Sequence, residues 1–238
     1  MGEKMINFIV GAIGLLIASI YDLKSREIED YVWVSMVIFG LIYNGYLSFI
    51  SHDMLYVIQS IVGFIVCFFL GFFMFLLGVG GGDGKLIMGL GALIPKYNMP
   101  IHTPLGAILN YLYLPSFPIM VVINAMFFSI TLPIIIFLRN VIRGVKPKTK
   151  KEVLCMFLGE KMKVSEAIKK ERLILGNHEN LKLLPSAEKD CDFSKFDKNE
   201  EIWVTPAIPF VVPIFLSYLL TSIIGDKIIG IFLSVFGL

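Results

Sequence analysis

Long apolar runs separated by short charged stretches set the pattern of this chain. Met5–Tyr21 is apolar apart from Asn7 and Ser19, and a bilayer core of about 30 Å takes about 20 such residues in a helix. That run predicts a first membrane span. A removable signal peptide is disfavoured, because Ile20-Tyr21-Asp22 makes a poor small-residue cleavage site. After DLKSREIED, a second span is expected over residues 31–50 and a third over 55–77, with Ser51-His52-Asp53 as the turn between them. GVGGGDGKLIMGLGALIP leaves too few apolar residues after Gly84 for a full crossing and predicts a short, tilted fourth helix. Residues 96–118, with several prolines and aromatics, suit an irregular interfacial connection. A fifth span is expected over 119–138 and a sixth over 206–224, followed by a break at Gly225-Asp226-Lys227 and an apolar tail.

Between the fifth and sixth spans lies a polar segment rich in Lys and Glu. Within it KVSEAIKKERLIL has helical spacing, with Ser165 as a candidate cap. The predicted architecture is an all-α membrane protein of about six transmembrane helices with a small cytoplasmic insertion domain. Its expected organisation is 1–142 for helices one to five, 143–203 for the insertion and 204–238 for the last helix and tail.

Charge then orients the chain. Of 21 Lys and Arg, fifteen fall in 139–203, two (Lys24, Arg26) in the first loop and one (Lys85) in the glycine-rich turn, leaving Lys4, Lys96 and Lys227 for the other side. Cytoplasmic loops carry the excess of basic residues. Six spans with both termini outside therefore place the loop after Asp22, the turn around Asp83 and the polar segment together on the cytoplasmic side. A formal net charge of +2 gives no ground for nucleic-acid binding. Cys67, Cys155 and Cys191 offer no CxxC spacing and read as free thiols. His52, His102 and His178 join no metal or nucleophile cluster, so neither a metal nor a cofactor is expected.

Two aspartates stand out. Asp22 closes the first span and Asp83 opens the fourth helix, at the same membrane face. Taken alone, Asp22 is an ordinary polar residue after a span, and Asp83 an ordinary cap in a flexible turn. Taken together they are the pair that acid and base catalysis of peptide hydrolysis requires. Like charges a few ångström apart cannot both ionise cheaply, so the two would share one proton near neutral pH and titrate as a unit. Gly80 and Gly82 remove side chains where substrate backbone or a neighbouring helix must approach. Arg26 and Lys85 either hold the interface or contact an anionic substrate group. GGGDGK is not a phosphate-binding loop, since Val79 and Leu86 stand where Gly and Ser or Thr are needed.

Gly80-Gly81-Gly82-Asp83-Gly84-Lys85-Leu86 resembles the GxGDxKL motif of the GxGD intramembrane aspartyl proteases, specifically the type IV prepilin peptidase branch with its archaeal preflagellin peptidases. Asp22-Leu23-Lys24-Ser25-Arg26-Glu27-Ile28 is similar to the DxxxRxI stretch of that family, and Ile208-Pro209-Phe210 to its Pro-Phe element. The resemblance implies catalytic roles for Asp83 and Asp22. It further implies a membrane-embedded endopeptidase that removes a basic leader from preflagellin or prepilin-like precursors at the cytoplasmic face of the plasma membrane. The first loop is too short for the cysteine-pair domain of many bacterial members, so no methyltransferase activity is implied. The alternative expectation is a small transporter using the two aspartates as ion or proton sites.

Overall fold

The structure, a computed structural model, describes residues 3–25, 27–76, 80–170, 172–177, 180–181, 192–205 and 210–237. In chain order the elements are α1 (Glu3–Ser25), α2 (Asp30–Ser51), α3 (Leu55–Leu76), α4 (Gly81–Leu93), α5 (Pro104–Tyr111), α6 (Ser116–Ile142), α7 (Lys150–Leu158), β1 (Glu160–Lys163), α8 (Val164–Lys169), β2 (Leu173–Gly176), β3 (Glu201–Thr205), α9 (Val211–Ile224) and α10 (Lys227–Val235). They divide into two compact units, Met1–Phe128 with Pro209–Leu238, and Ser129–Ile208.

Four helices, α1, α2, α3 and α6, are each long and apolar enough to cross a bilayer. The pair α9 and α10, bent by 86°, makes a fifth crossing if it is counted as one span. The protein is a multi-pass membrane protein. The expected count of about six included α4, whose 13 residues reach about 20 Å at 1.5 Å per residue, short of the bilayer core. The expected 51–53 turn is in place: His52 adopts the left-handed conformation at φ 52°, and Asp53 Oδ1 accepts the N–H of Leu55 at 2.9 Å.

The first unit is built around α4. From Asp83 to Leu93 most of its residues are buried, on all sides of the helix. Between apolar helices in a membrane the attraction is van der Waals packing and hydrogen bonding, which favours small residues at the seam. Here α3 presents Ser60, Gly63, Cys67 and Gly71 at helical spacing. Gly71 lies against Gly84, and Gly63 against Gly91, so that α3 and α4 run antiparallel with backbones in contact; a Cβ on Gly84 would stand 2.9 Å from the carbonyl oxygen of Gly71. On the other side Met36 and Gly40 of α2 meet Gly89 and Leu93. Helix α1 closes the bundle through Leu15 and Ala18, and α9 through Ile214 and Tyr218, whose hydroxyl donates to the carbonyl of Phe8 at 2.9 Å.

The C-terminal end of α4 is held by side chains. Asn44 Nδ2 donates to the carbonyls of Ala92 and Leu93, each at 3.2 Å, and Ser60 Oγ donates to Ala92 as well. Asn7 Nδ2 in turn donates to Asn44 Oδ1 at 3.2 Å. Asn7, an isolated polar residue in the first span, is therefore part of a buried chain of amides reaching from α1 through α2 to α4.

The second unit carries a three-stranded antiparallel sheet in the order β1-β3-β2, with Glu160 opposite Val204 and Leu173 opposite Thr205. Both of its faces are covered. Met162, Val164, Ala167, Ile174, Ile202 and Val204 pack on one, and Cys155, Met156, Leu175 and Trp203 on the other. The helix expected over KVSEAIKKERLIL stops at Lys169, because Leu173–Gly176 enters the sheet, where Ile174 and Leu175 are buried on opposite faces. Ser165 is not the cap; Lys163 occupies that place. Cys67 and Cys155 are free thiols, as expected, and Cys191 lies outside the described residues.

The amide chain generates a direct test. Asn44→Leu removes the side-chain donor to the buried Leu93 carbonyl, while Ala92 keeps Ser60, and a buried group left unpaired costs about 1–3 kcal/mol. The purified variant is expected to unfold at a clearly lower temperature in detergent, whereas Tyr46→Leu, on the exposed face of the same helix, leaves the midpoint within a degree or two.

Candidate active site

Asp22 sits in the last turns of α1, half-buried. The end of that helix is fixed to the start of α2 by a hydrogen bond from the Tyr31 hydroxyl to that of Tyr21 at 2.8 Å, with the two rings edge to face. Asp83 lies in the first turn of α4, where its N–H donates to the carbonyl of Gly80 at 3.1 Å, and the residue is buried with 8% of its surface exposed. A carboxylate in the first turn also lies where the helix dipole is positive.

Antiparallel packing of α1 on α2 and of α3 on α4 brings the end of α1, the start of α2 and the start of α4 to one end of the bundle. Asp22 and Asp83 are within electrostatic reach of each other there. The two motif stretches touch as well: a Cβ on Gly82 would lie 2.8 Å from Cδ1 of Ile28, the last residue of the stretch that starts at Asp22. Gly80 lies over Asp83 itself, since a Cβ there would stand 3.0 Å from Oδ2. Of the two glycines singled out in the sequence, Gly82 therefore makes room for the neighbouring loop and Gly80 for the carboxylate. The close approach of whole helices falls to Gly84 and Gly91.

The residue that follows the third stretch meets the first. Val211, the first residue of α9, donates its backbone N–H to Asp22 Oδ2 at 3.3 Å. Phe210 stands at the N-cap, while Ile208 and Pro209 lie outside the described residues. The carboxylate of Asp22 thus faces the N-terminus of a helix, whose first N–H groups lack intrahelical acceptors. Arg26 also lies outside the described residues.

Lys85 points elsewhere. Its ammonium pairs with Asp30 Oδ1 at 2.5 Å, and the same oxygen accepts the indole N–H of Trp33 at 2.9 Å. Both partners are exposed to a large degree, so the pair ties the first turn of α4 to the first turn of α2 at the rim of the site.

Asp30 and Val211 were not singled out by the sequence pattern. Asp30 is one of several charges in a polar loop, and Val211 acts through its backbone, which leaves no trace in side-chain type. Asp226, also unremarked, is fully buried in the break between α9 and α10. It accepts the backbone N–H of His102 at 2.6 Å and both the N–H and the hydroxyl of Thr103, at 2.9 and 2.6 Å. Those donors make it a structural carboxylate that fixes residues 102–103 to the bend.

Comparison with known proteins accords with this geometry. Residues 9–138 match the type IV leader peptidase family, a stretch that contains both aspartates and the whole of α4. The chain is 54% identical over 225 residues to a preflagellin peptidase of Methanococcus maripaludis, covering 94% of this chain and 97% of that protein. It is 46% identical over 231 residues to a preflagellin peptidase of Methanococcus voltae, covering 96% and 99%. An uncharacterised protein of Methanocaldococcus jannaschii is 27% identical over 252 residues, covering 90% and 91%. The matched segment spans more than half of the chain and the first two relatives align over almost all of it, so this chain belongs to the type IV leader peptidase family.

Proposed function

We propose that this protein is a membrane-embedded aspartyl endopeptidase of the GxGD type that removes the leader peptide from preflagellin and similar pilin-like precursors, with Asp22 and Asp83 as its catalytic pair. The observation that carries this reading is the meeting of the two motif stretches at Ile28 and Gly82, with the two carboxylates within electrostatic reach. Membership of the peptidase family and near full-length similarity to two preflagellin peptidases supply the substrate class.

In this mechanism the pair holds one proton. The ionised carboxylate removes a proton from water as its oxygen attacks the scissile carbonyl carbon. The protonated partner gives its proton to the carbonyl oxygen, which yields a tetrahedral diol. Collapse of the diol breaks the C–N bond: the ionised carboxylate takes a proton from one diol hydroxyl as the new C=O forms, the protonated one gives its proton to the leaving nitrogen, and the pair again holds one proton. Base and acid belong to the pair as a unit. Val211 orients Asp22, and the first turn of α4 orients Asp83. Neither the leader nor the apolar helix of the substrate needs to enter the site in full, since only their junction must reach the end of the bundle.

The charge distribution supports an orientation with the active site at the cytoplasmic face, both termini outside, and the polar insertion 143–203 on the same side as the site. Protease added to inside-out vesicles should then cleave within the insertion, and protease added to intact cells or right-side-out vesicles should not. The opposite pattern would overturn the orientation.

Asp22→Asn and Asp83→Asn should each lower cleavage of a preflagellin precursor in detergent by at least the roughly 10²–10⁴-fold typical of a lost acid–base group. Membrane insertion and the thermal midpoint should stay close to those of the parent. A transporter predicts no new N-terminus on any precursor, so sequencing of the product separates the two readings.

Lys85 should behave as a tether and not as a catalytic group. Exposed pairs contribute at most about 1 kcal/mol. Lys85→Ala is accordingly expected to reduce kcat by less than about tenfold, a ceiling well above what a loss of that size produces. The exchanged pair Lys85→Asp with Asp30→Lys should recover part of the loss. A fall as deep as that of Asp83→Asn would place the ammonium in the chemistry.

A further inference from the structure

We propose that the turn joining α6 to α7 is an electrostatic docking surface for the anionic phosphate headgroups of the bilayer. Residues 139–151 hold Arg139, Arg143, Lys146, Lys148, Lys150 and Lys151 and not one acidic residue. The run begins within the last turn of α6, a candidate membrane span that ends at Ile142, so it cannot lie far from the bilayer surface. Clusters of four to eight basic residues beside a span are drawn to anionic lipid, and the attraction fades within a Debye length of about 8–10 Å.

The fold removes the one nearby acid from this surface. Glu152 is buried with 3% exposure, and its Oε2 accepts the backbone N–H of Lys148 at 2.6 Å. Thr149 Oγ1 accepts the N–H of Glu152 at 3.3 Å and caps α7, while the Glu152 carboxylate holds the backbone just before the cap. The next acid, Glu160, is also buried and is taken by Arg143 at 2.5 Å and Arg172 at 3.0 Å. What remains outward is Lys146, Lys148, Lys150 and Lys151, all exposed, and none paired with a carboxylate of a described residue. Two other exposed lysines of the same unit are paired, Lys170 with Glu166 at 2.6 Å and Lys195 with Asp192 at 3.6 Å. A first-turn carboxylate used inward leaves a turn of four like charges, which is costly in itself and is relieved by an anionic surface. Phosphates of the adjoining leaflet are the anions within reach of a run tied to a span.

The full chain is to be reconstituted in nanodiscs of phosphatidylcholine alone or with phosphatidylglycerol, and acetylation of each lysine by a water-soluble amine reagent followed by mass spectrometry. Labelling of Lys146, Lys148, Lys150 and Lys151 should be at least fivefold slower in the anionic bilayer, while Lys161, exposed on β1, changes by less than twofold. Raising salt to 0.5 M should remove the difference, and in the K146Q/K148Q variant the protection of Lys150 and Lys151 should fall by at least half. Equal labelling in the two bilayers overturns the proposal. Protection by added heparin in the neutral bilayer, without protection by phosphatidylglycerol, overturns it too and assigns the turn to a soluble polyanion. The readout does not depend on cleavage, so it stands or falls apart from the proteolytic reading.

Discussion

A helix too short to cross the membrane, placed at the centre of helices that do cross it, is the constraint on which the first unit rests. The end of such a helix has carbonyls without intrahelical acceptors, and inside an apolar bundle each one left unpaired is expensive. Asn44 and Ser60 remove that cost for α4, and Asn7 holds Asn44 in place. The seam with α3 is equally specific. With a glycine on each side at two levels, α3 and α4 approach to backbone contact, and dispersion over that area replaces the hydrophobic driving force that a bilayer does not supply between apolar helices.

Because its far end is anchored in this way, the near end of α4 is fixed in depth and rotation. Asp83 inherits that placement from the helix, and Asp22 inherits its own from the length of α1 and from the Tyr21–Tyr31 link to α2. The proposed pair is therefore assembled by helix ends rather than by a loop that folds over the site. Lys85 with Asp30 and Ile28 with Gly82 add contacts at the rim, and α9 contributes its first N–H to Asp22. The first two motif stretches thereby touch each other, and the residue after the third touches the first, although they are separated in sequence by tens to more than a hundred residues.

Much of this could be read in the chain before any coordinates. Apolar runs marked α1, α2, α3 and α6 closely, and His52 and Asp53 marked the tight turn. The shortness of α4 was visible in GLGALIP. Less visible was why the glycines recur, since the partner of Gly84 is Gly71 on another helix and no local pattern pairs them. Asn7 and Asn44 were isolated polar residues in apolar runs, and only the bundle reveals their common task. The insertion misled more: Val164, Ala167 and Ile168 have helical spacing, but Leu173-Ile174-Leu175 is a continuous apolar run, and such runs suit a strand covered on both faces as well as a helix. Cover came from α7 and α8, which contribute Cys155 and Met156 on one side and Val164 and Ala167 on the other.

The same reasoning separates the two kinds of buried carboxylate in the first unit. Asp226 has three donors on its two oxygens, so moving it would leave a buried charge unsatisfied, and it is suited to holding a bend in place. Asp83 is nearly as well buried, yet what lies near its carboxylate is the backbone of Gly80 and a second carboxylate within electrostatic reach. Such an environment holds the carboxylate with few donors. A carboxylate spent on structure collects donors, and the role proposed for Asp83 asks for fewer of them. By that measure Asp83 is the less stabilising residue of the two, and the helix that carries it has to be held by contacts made at its other end.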